Sequence, residues 1–393
     1  MDTVKQGAIA LMKSAITGVA YPLPEDFDLE AAYPVLAPHH MDALIYAGAV
    51  NCGIPQSSPI MKQLFQRYCR HLLISEGQLR QIRRISEAFE ENGIDYLPLK
   101  GCRMKHLYPK PELRNMGDAD ILIRMEQYPE IMPIMESLGF AIGKETTHEL
   151  RWNHRELKVE LHKRLMPFHH DDFCNYFGSG WQTASQHTGH CWSMSEEDEW
   201  LFNFTHFTKH FRENGIGCRH LVDLWVFLQN HTGMDEVYLR KELKKMHLLE
   251  FYHNILSVIA VWFEDAVSDE KSLFITDYIF SCGSWGNMEN HVLYQQLRSG
   301  KTLTGTTNKV LYLWQAAFPG IRFLRIKYPI LNKAPWMLPA AWMHRLISKL
   351  LFEPHLAKHI KQNAEHLTTE KLQSRKQMLN YLGLEAQFEL EEE

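Results

Sequence analysis

Asp118 and Asp120 lie two residues apart at the head of an apolar, β-forming run, Gly117-Asp118-Ala119-Asp120-Ile121-Leu122-Ile123. Strand side chains alternate between faces. Both carboxylates therefore project the same way, about 6–7 Å apart along the chain, and Ala119, Ile121 and Ile123 project the other way, toward a core. Two unpaired carboxylates so placed repel one another; at ~5 Å and an effective dielectric of ~20 the penalty is roughly 3 kcal/mol. A divalent cation removes that penalty. Hard cations such as Mg²⁺ take these oxygens, usually together with substrate phosphates. An isolated Asp-x-Asp is weak, and the chain contains another. Asp26-Phe27-Asp28 precedes Leu29-Glu30-Ala31-Ala32 with no apolar strand after it, a pattern that predicts a turn or a helix N-cap.

The company of Asp118 and Asp120 sets them apart. Upstream, Lys100-Gly101 falls at a strand-to-helix junction, where a glycine lets backbone approach phosphate and a helix start offers N–H groups. Arg114 is placed to meet a phosphate or to hold the loop, its plainer partners being Glu112 and Asp118. Downstream, Val159-Glu160-Leu161-His162 repeats the alternation, so Glu160 can complete a three-carboxylate cluster with His162 on the same face. The plainer reading of Glu160 is a surface salt bridge, and that of His162 a group that orients a ligand or a plain surface histidine. His206 and His210 stand one helical turn apart and are candidates for lining a bound ligand; without an HExxH glutamate they do not suggest zinc. Asp223 is read as a helix charge or as the partner of Arg219. The pairs His39-His40 and His169-His170 carry no assigned role.

The elements that must position these groups follow from periodicity. Helical spacing runs over 57–91 and stops at Asn92-Gly93. A strand is expected over 94–99, a short helix over 102–107, a strand at 118–123, a helix over 127–138, and strands near 148–154 and 156–164. From Ser195 onward the pattern is helical, with helices at 196–212, 217–230, 236–248, 250–264, 270–281, 287–298 and 308–317, a polar helix over 354–382 and an acidic tail at 385–393. The expected fold is α+β: a small mixed sheet with flanking helices, followed by a large all-helical region. The expected domains are 1–91 (helical), 92–194 (the α/β core) and 195–393 (helical).

The 393 residues carry a net charge of −5, which argues against a general nucleic-acid binder. Seven scattered cysteines without a CxxC pair read as reduced thiols of a cytoplasmic protein. The amphipathic start reads as a helix and not as a signal peptide, and no apolar run is long enough to span a bilayer. The stretch 318–346 mixes Trp336, Met337, Leu338, Trp342 and Met343 with Arg322, Arg325, Lys327, Lys333 and Arg345. It reads either as a peripheral membrane contact or as helices packed on the domain with prolines at the turns, and the negative overall charge favours packing.

Tyr96-Leu97-Pro98-Leu99-Lys100-Gly101, Leu107-Tyr108, Arg114, Gly117-Asp118-Ala119-Asp120 and Val159-Glu160-Leu161-His162 together resemble an uncharacterised nucleotidyltransferase family. Its signature runs LKG, Arg, D-x-D, then Asp or Glu before Leu-His, and it belongs to the polymerase-β-like superfamily. His206, His210 and Asp223 fall in a similar later pattern. The resemblance implies Mg²⁺-dependent (or Mn²⁺-dependent) transfer of an NMP from an NTP such as ATP to a hydroxyl or phosphate of a small molecule, sugar or protein. It implies Asp118, Asp120 and Glu160 as catalytic metal ligands, with Lys100, Gly101 and Arg114 near the triphosphate. The chain departs from the superfamily in having Lys100-Gly101-Cys102 for the usual Gly-Gly or Gly-Ser, and a glutamate as its third acid. The alternative function is a non-catalytic nucleotide-binding or antitoxin-like interaction protein on the same fold.

Overall fold

Alternating apolar residues in 118–123 and 158–162 build the centre of a mixed sheet. The structure, a computed structural model, describes residues 1–146, 148–167, 170–298, 305–352, 364–365 and 367–384. The chain divides into two units, Met1–Lys209 with Ile216–Trp285, and His210–Gly215 with Gly286–Glu393.

The first unit opens with helices α1 (Thr3–Thr17), α2 (Leu29–Leu36), α3 (Asp42–Asn51) and α4 (Pro59–Glu91). Asp28 caps α2 by accepting from the Glu30 amide, which is the role its sequence context suggests for the control Asp-x-Asp. Ser58 caps α4, Pro59 occupies its first turn, and Gly93, with φ of +69°, follows its end. Then come β1 (Tyr96–Pro98), α5 (Gly101–Met104), β2 (Asp118–Ile123), α6 (Tyr128–Ser137), β3 (Ala141–Glu145), β4 (Glu149–Asn153), β5 (Lys158–His162), α7 (Asp171–Phe177), β6 (Ala184–Thr188) and β7 (Cys191–Met194). Helices α8 (Glu196–Glu213), α9 (Cys218–Asn230), α10 (Glu236–Lys245), α11 (Leu249–Phe263) and α12 (Glu270–Cys282) follow, α8 running on into the second unit.

The seven strands are ordered β3-β4-β5-β2-β1-β7-β6. β2 pairs antiparallel with β1 and parallel with β5, which pairs antiparallel with β4. One sheet face is apolar: Ala119, Ile121 and Ile123 join Val159, Leu161 and Trp152 in a core that α4 closes with Ile85 and Phe89, and α6 with Ile131 and Met135. The opposite face carries Asp118 and Asp120, then turns apolar at Leu122.

α4 also holds the β1–β2 connection. Gln78 donates to the Met116 carbonyl, Tyr68 to Glu112, and the buried Lys105 donates back to Ser75. The loop that delivers Asp118 is thus tied at several points to a long, rigid helix.

The second unit contains α13 (Met288–Arg298), α14 (Gly305–Ala317), α15 (Ile321–Lys327), α16 (Leu338–Phe352) and α17 (Thr369–Tyr381). The fold is α+β as expected: a mixed sheet with flanking helices, then a helical C-terminal region. Three strands, β3, β6 and β7, escape the sequence reading. β3 and β6 are the two sheet edges and are mostly solvent-exposed, so they carry no apolar alternation. Residues 354–363 and 366 of the expected polar helix, the acidic tail at 385–393 and His169 lie outside the described residues.

Candidate active site

The site forms where the C-terminal end of β1 meets the N-terminal ends of β2 and β5. Register sets its geometry. Asp118 pairs with Lys158, Asp120 with Glu160 and Leu122 with His162, while on the other side of β5 Arg151 faces Glu160 and Glu149 faces His162. Asp120, Glu160 and Arg151 therefore form one row across three strands.

Asp120 is 5% exposed and accepts twice at Oδ1, from Lys100 Nζ at 3.0 Å and from His162 Nε2 at 2.7 Å. Since an ionised carboxylate only accepts, His162 must carry its proton on Nε2. Its Nδ1 is buried and lacks a hydrogen-bond partner among the described residues. Glu160 Oε1 meets the Arg151 Nε at 2.9 Å, and Arg151 also reaches Glu149 at 2.8 Å. Sequence reasoning missed Arg151 and Glu149. Their signal is register: each stands directly across β4 from a residue already suspected.

The carboxyls are pulled apart electrostatically. Burial pushes Glu160 up to about 8, and the charges of Asp118, Asp120 and Glu149 push the same way against Arg151. Burial and the charge of Asp120 likewise raise Asp118. Burial would raise Asp120 too, but the Lys100 ammonium and the His162 hydrogen bond outweigh it and hold the group well below the usual carboxylate range. Burial lowers His162, keeping the imidazole neutral. Neighbouring acids raise Lys100 against its burial, so it stays charged.

Lys100 has φ of +40° and ψ of −111°, a conformation lysine rarely adopts. A Cβ at Gly101 would fall 2.7 Å from Met116 Sδ, so any larger residue there needs the Met116 side chain to move. The amide of Cys102 is taken by the Leu99 carbonyl, and those of Arg103 and Met104 by the Lys100 carbonyl.

Arg114 is buried and spans Asp223 on α9, Nε to Oδ1 at 2.8 Å and Nη2 to Oδ2 at 2.9 Å. The Tyr108 hydroxyl donates to the same Oδ1 at 2.7 Å. The partner of Asp223 is thus Arg114, four residues before the Asp-x-Asp, and Arg219 instead donates to the Asn115 carbonyl. The indole of Trp285, 76% exposed, lies 3.9 Å from where a Cβ on Gly117 would be. The sequence reading gave Trp285 no role. His206 is half-buried on α8 with its ring 6.4 Å from Phe202, and His210 sits one turn on, in the second unit. His39 is structural: it is buried and accepts from the Cys218 amide.

Asp120, Glu160 and His162 each offer a ligand atom within 4.8 Å of the others, the one such group among the described residues. Two carboxylate oxygens and an imidazole, buried and rich in negative charge, suit a divalent cation. Asp118 shares their face, one residue pair nearer the start of the strands.

The chain belongs to an uncharacterised nucleotidyltransferase family, whose model matches residues 25–264. That match contains the whole sheet and Asp223. No curated protein and no solved structure matches the chain.

Proposed function

We propose that this protein is a divalent-metal-dependent nucleotidyltransferase of the polymerase-β type, moving an NMP from an NTP to a hydroxyl or phosphate of a small-molecule, sugar or protein acceptor. The observation that carries the reading is the direct opposition of Asp120 and Glu160 on neighbouring strands, with Asp118 on the same face. These three would hold Mg²⁺ or Mn²⁺. When bound, a pair of such cations stabilises both the attacking and the leaving oxygen of an in-line displacement at phosphorus.

The remaining residues have separable tasks. His162 fixes the carboxylate plane of Asp120 through its Nε2–H. Lys100 pairs with Asp120 and would be free to meet the triphosphate where bound cations neutralised that carboxylate. The Lys100 and Gly101 amides face the same phosphates. Arg114, held by Asp223, keeps the loop in place so that Asp118 enters the strand at the right residue. Trp285 offers an exposed flat surface beside Gly117 for a base or an aromatic acceptor. His206 is assigned to the acceptor side. The acidic chain disfavours a nucleic-acid acceptor.

The test is to incubate the protein with each labelled NTP, Mg²⁺ or Mn²⁺, and whole-cell extract. Incorporation of label with release of pyrophosphate, lost in Asp120→Asn, is expected. Nucleotide that raises the melting temperature with no incorporation under any condition would replace the enzyme by a nucleotide-binding protein.

A further inference from the structure

The second unit has a charge pattern of its own. From Asn290 through Phe352 the sequence has no aspartate or glutamate and nine lysines and arginines, within a chain of net charge −5. The stretch lies beyond the family match, which ends at residue 264. Part of its apolar content is used internally, where Leu324, Leu331 and Ala341 are buried together and Trp342 packs against them.

Another part faces solvent. Between α15 and α16 the chain makes two 3₁₀ turns, Pro329–Asn332 and Pro335–Met337. Along this stretch Lys327, Ile330, Lys333 and Trp336 are all exposed, Trp336 at 80%. α16 continues the pattern with Met343 and Ile347, also exposed and one turn apart. On α14, Val310, Leu313 and Trp314 make an exposed stripe at helical spacing. α16 packs Ala341 and Trp342 inward but also turns a cation inward. Its Arg345 is turned inward onto the Ala316 and Ala317 carbonyls, at 2.9 and 3.3 Å, while its Met and Ile face water.

We propose that this face of the second unit docks on the surface of a bilayer containing anionic lipid. Trp336, Ile330, Met343 and Ile347 enter the headgroup boundary, and Lys327 and Lys333 meet lipid phosphates. No helix among the described residues is long and apolar enough to cross a membrane, so the contact is one of lying on the surface. Exposed aliphatic side chains gain nothing from a nucleic acid, and an acid-free, cationic surface repels a second copy of itself. A bilayer satisfies both the apolar and the charged component. The inference is independent of the transfer chemistry.

The test is flotation of the full-length protein with phosphatidylcholine vesicles containing about 30% phosphatidylglycerol, against phosphatidylcholine alone, at ~0.1 M salt. Binding to the anionic vesicles at least tenfold stronger is expected. Trp336→Ser with Met343→Ser should cut it tenfold or more with an unchanged melting temperature. Lys327→Gln and Lys333→Gln should each weaken it about fivefold. Val237→Ser, a control at a 79% exposed position in the first unit, should leave it intact. No binding to anionic vesicles, or binding that the double variant leaves unchanged, overturns the proposal. So does a dimer in light scattering that the double variant abolishes while vesicles are ignored, which would assign the face to a second copy. Tight binding to an oligonucleotide without vesicle binding overturns it too.

Discussion

Asp120 and Glu160 face each other across the parallel β2–β5 ladder, yet they hold protons very differently. Lys100 and His162 overcome burial to keep Asp120 ionised, whereas burial and three neighbouring acids push Glu160 up to about 8. Between the ordinary glutamate value of 4.5 and 8, the folded, metal-free protein keeps a proton that the unfolded chain has lost. That group's contribution to stability therefore declines as pH rises through this window. A divalent ion requires the carboxylate, so its binding expels the proton. The expected result is an affinity for Mn²⁺ or Mg²⁺ that climbs by up to about tenfold per pH unit below 8, with roughly one proton released. Calorimetry in buffers of different ionisation enthalpy measures both. An affinity flat from pH 6 to 8 would contradict a role for Glu160 as ligand.

Replacing the acids separates chemistry from folding. Asp120→Asn keeps the volume and the hydrogen-bond acceptor but removes the charge, and should lower pyrophosphate release by about 10²-fold or more. Asp118→Asn should do the same. His162→Ala acts through Asp120 and should cost about 10–100-fold in metal affinity. The readout is turnover as a function of metal concentration, with circular dichroism as the control for fold. Full turnover in Asp120→Asn would reject the assigned site.

Arg114 and Asp223 form a buried bidentate pair that joins the loop before β2 to α9. Burial would raise Asp223, but Arg114 and Arg219 outweigh it and hold the carboxyl low. Its contribution to stability is complete above the unfolded carboxylate range and disappears as pH falls through the lower, folded value. Removing one partner leaves an unpaired buried charge, so Arg114→Ala or Asp223→Ala should each destabilise by about 3–5 kcal/mol. The double variant should lose much less than the sum. Urea denaturation of the four proteins measures this. Additive losses would show that the two side chains act separately.

What could be read from the sequence was what repeats with period two or 3.6. Asp118–Ile123 reads as a strand because polar and apolar residues alternate there, and the core face of Ala119, Ile121 and Ile123 follows. α4, α8, α9, α11 and α12 have apolar stripes and clear stops. The edge strands β3 and β6 have neither, because solvent covers them. In the site, Glu160 and His162 could be suspected from alternation. Arg151 and Glu149 could not, because only the pairing of β4 with β5 brings them alongside. The partner of Asp223 was illegible for the same reason: Arg114 is remote in sequence, and Arg219 was the nearer choice.

Lys100 is held with φ of +40°, where a side chain costs roughly 1–3 kcal/mol and glycine almost nothing. Its ammonium is nonetheless placed 3.0 Å from Asp120. Two variants separate backbone from charge. Lys100→Ala loses the ion pair and keeps the strained Cβ; Lys100→Gly loses the ion pair and relieves the strain. The glycine variant should therefore be the more stable of the two by about 1 kcal/mol, despite the added freedom of its unfolded chain. Both should bind NTP at least tenfold more weakly than the parent protein, because neither carries the charge assigned to the triphosphate. Denaturation curves and nucleotide titrations give the two answers independently. An alanine variant as stable as the glycine one would remove the case for strain, and unchanged nucleotide affinity in both would remove the case for phosphate contact. If both expectations hold, the chain keeps lysine in a glycine-like conformation because the ammonium is needed there for function.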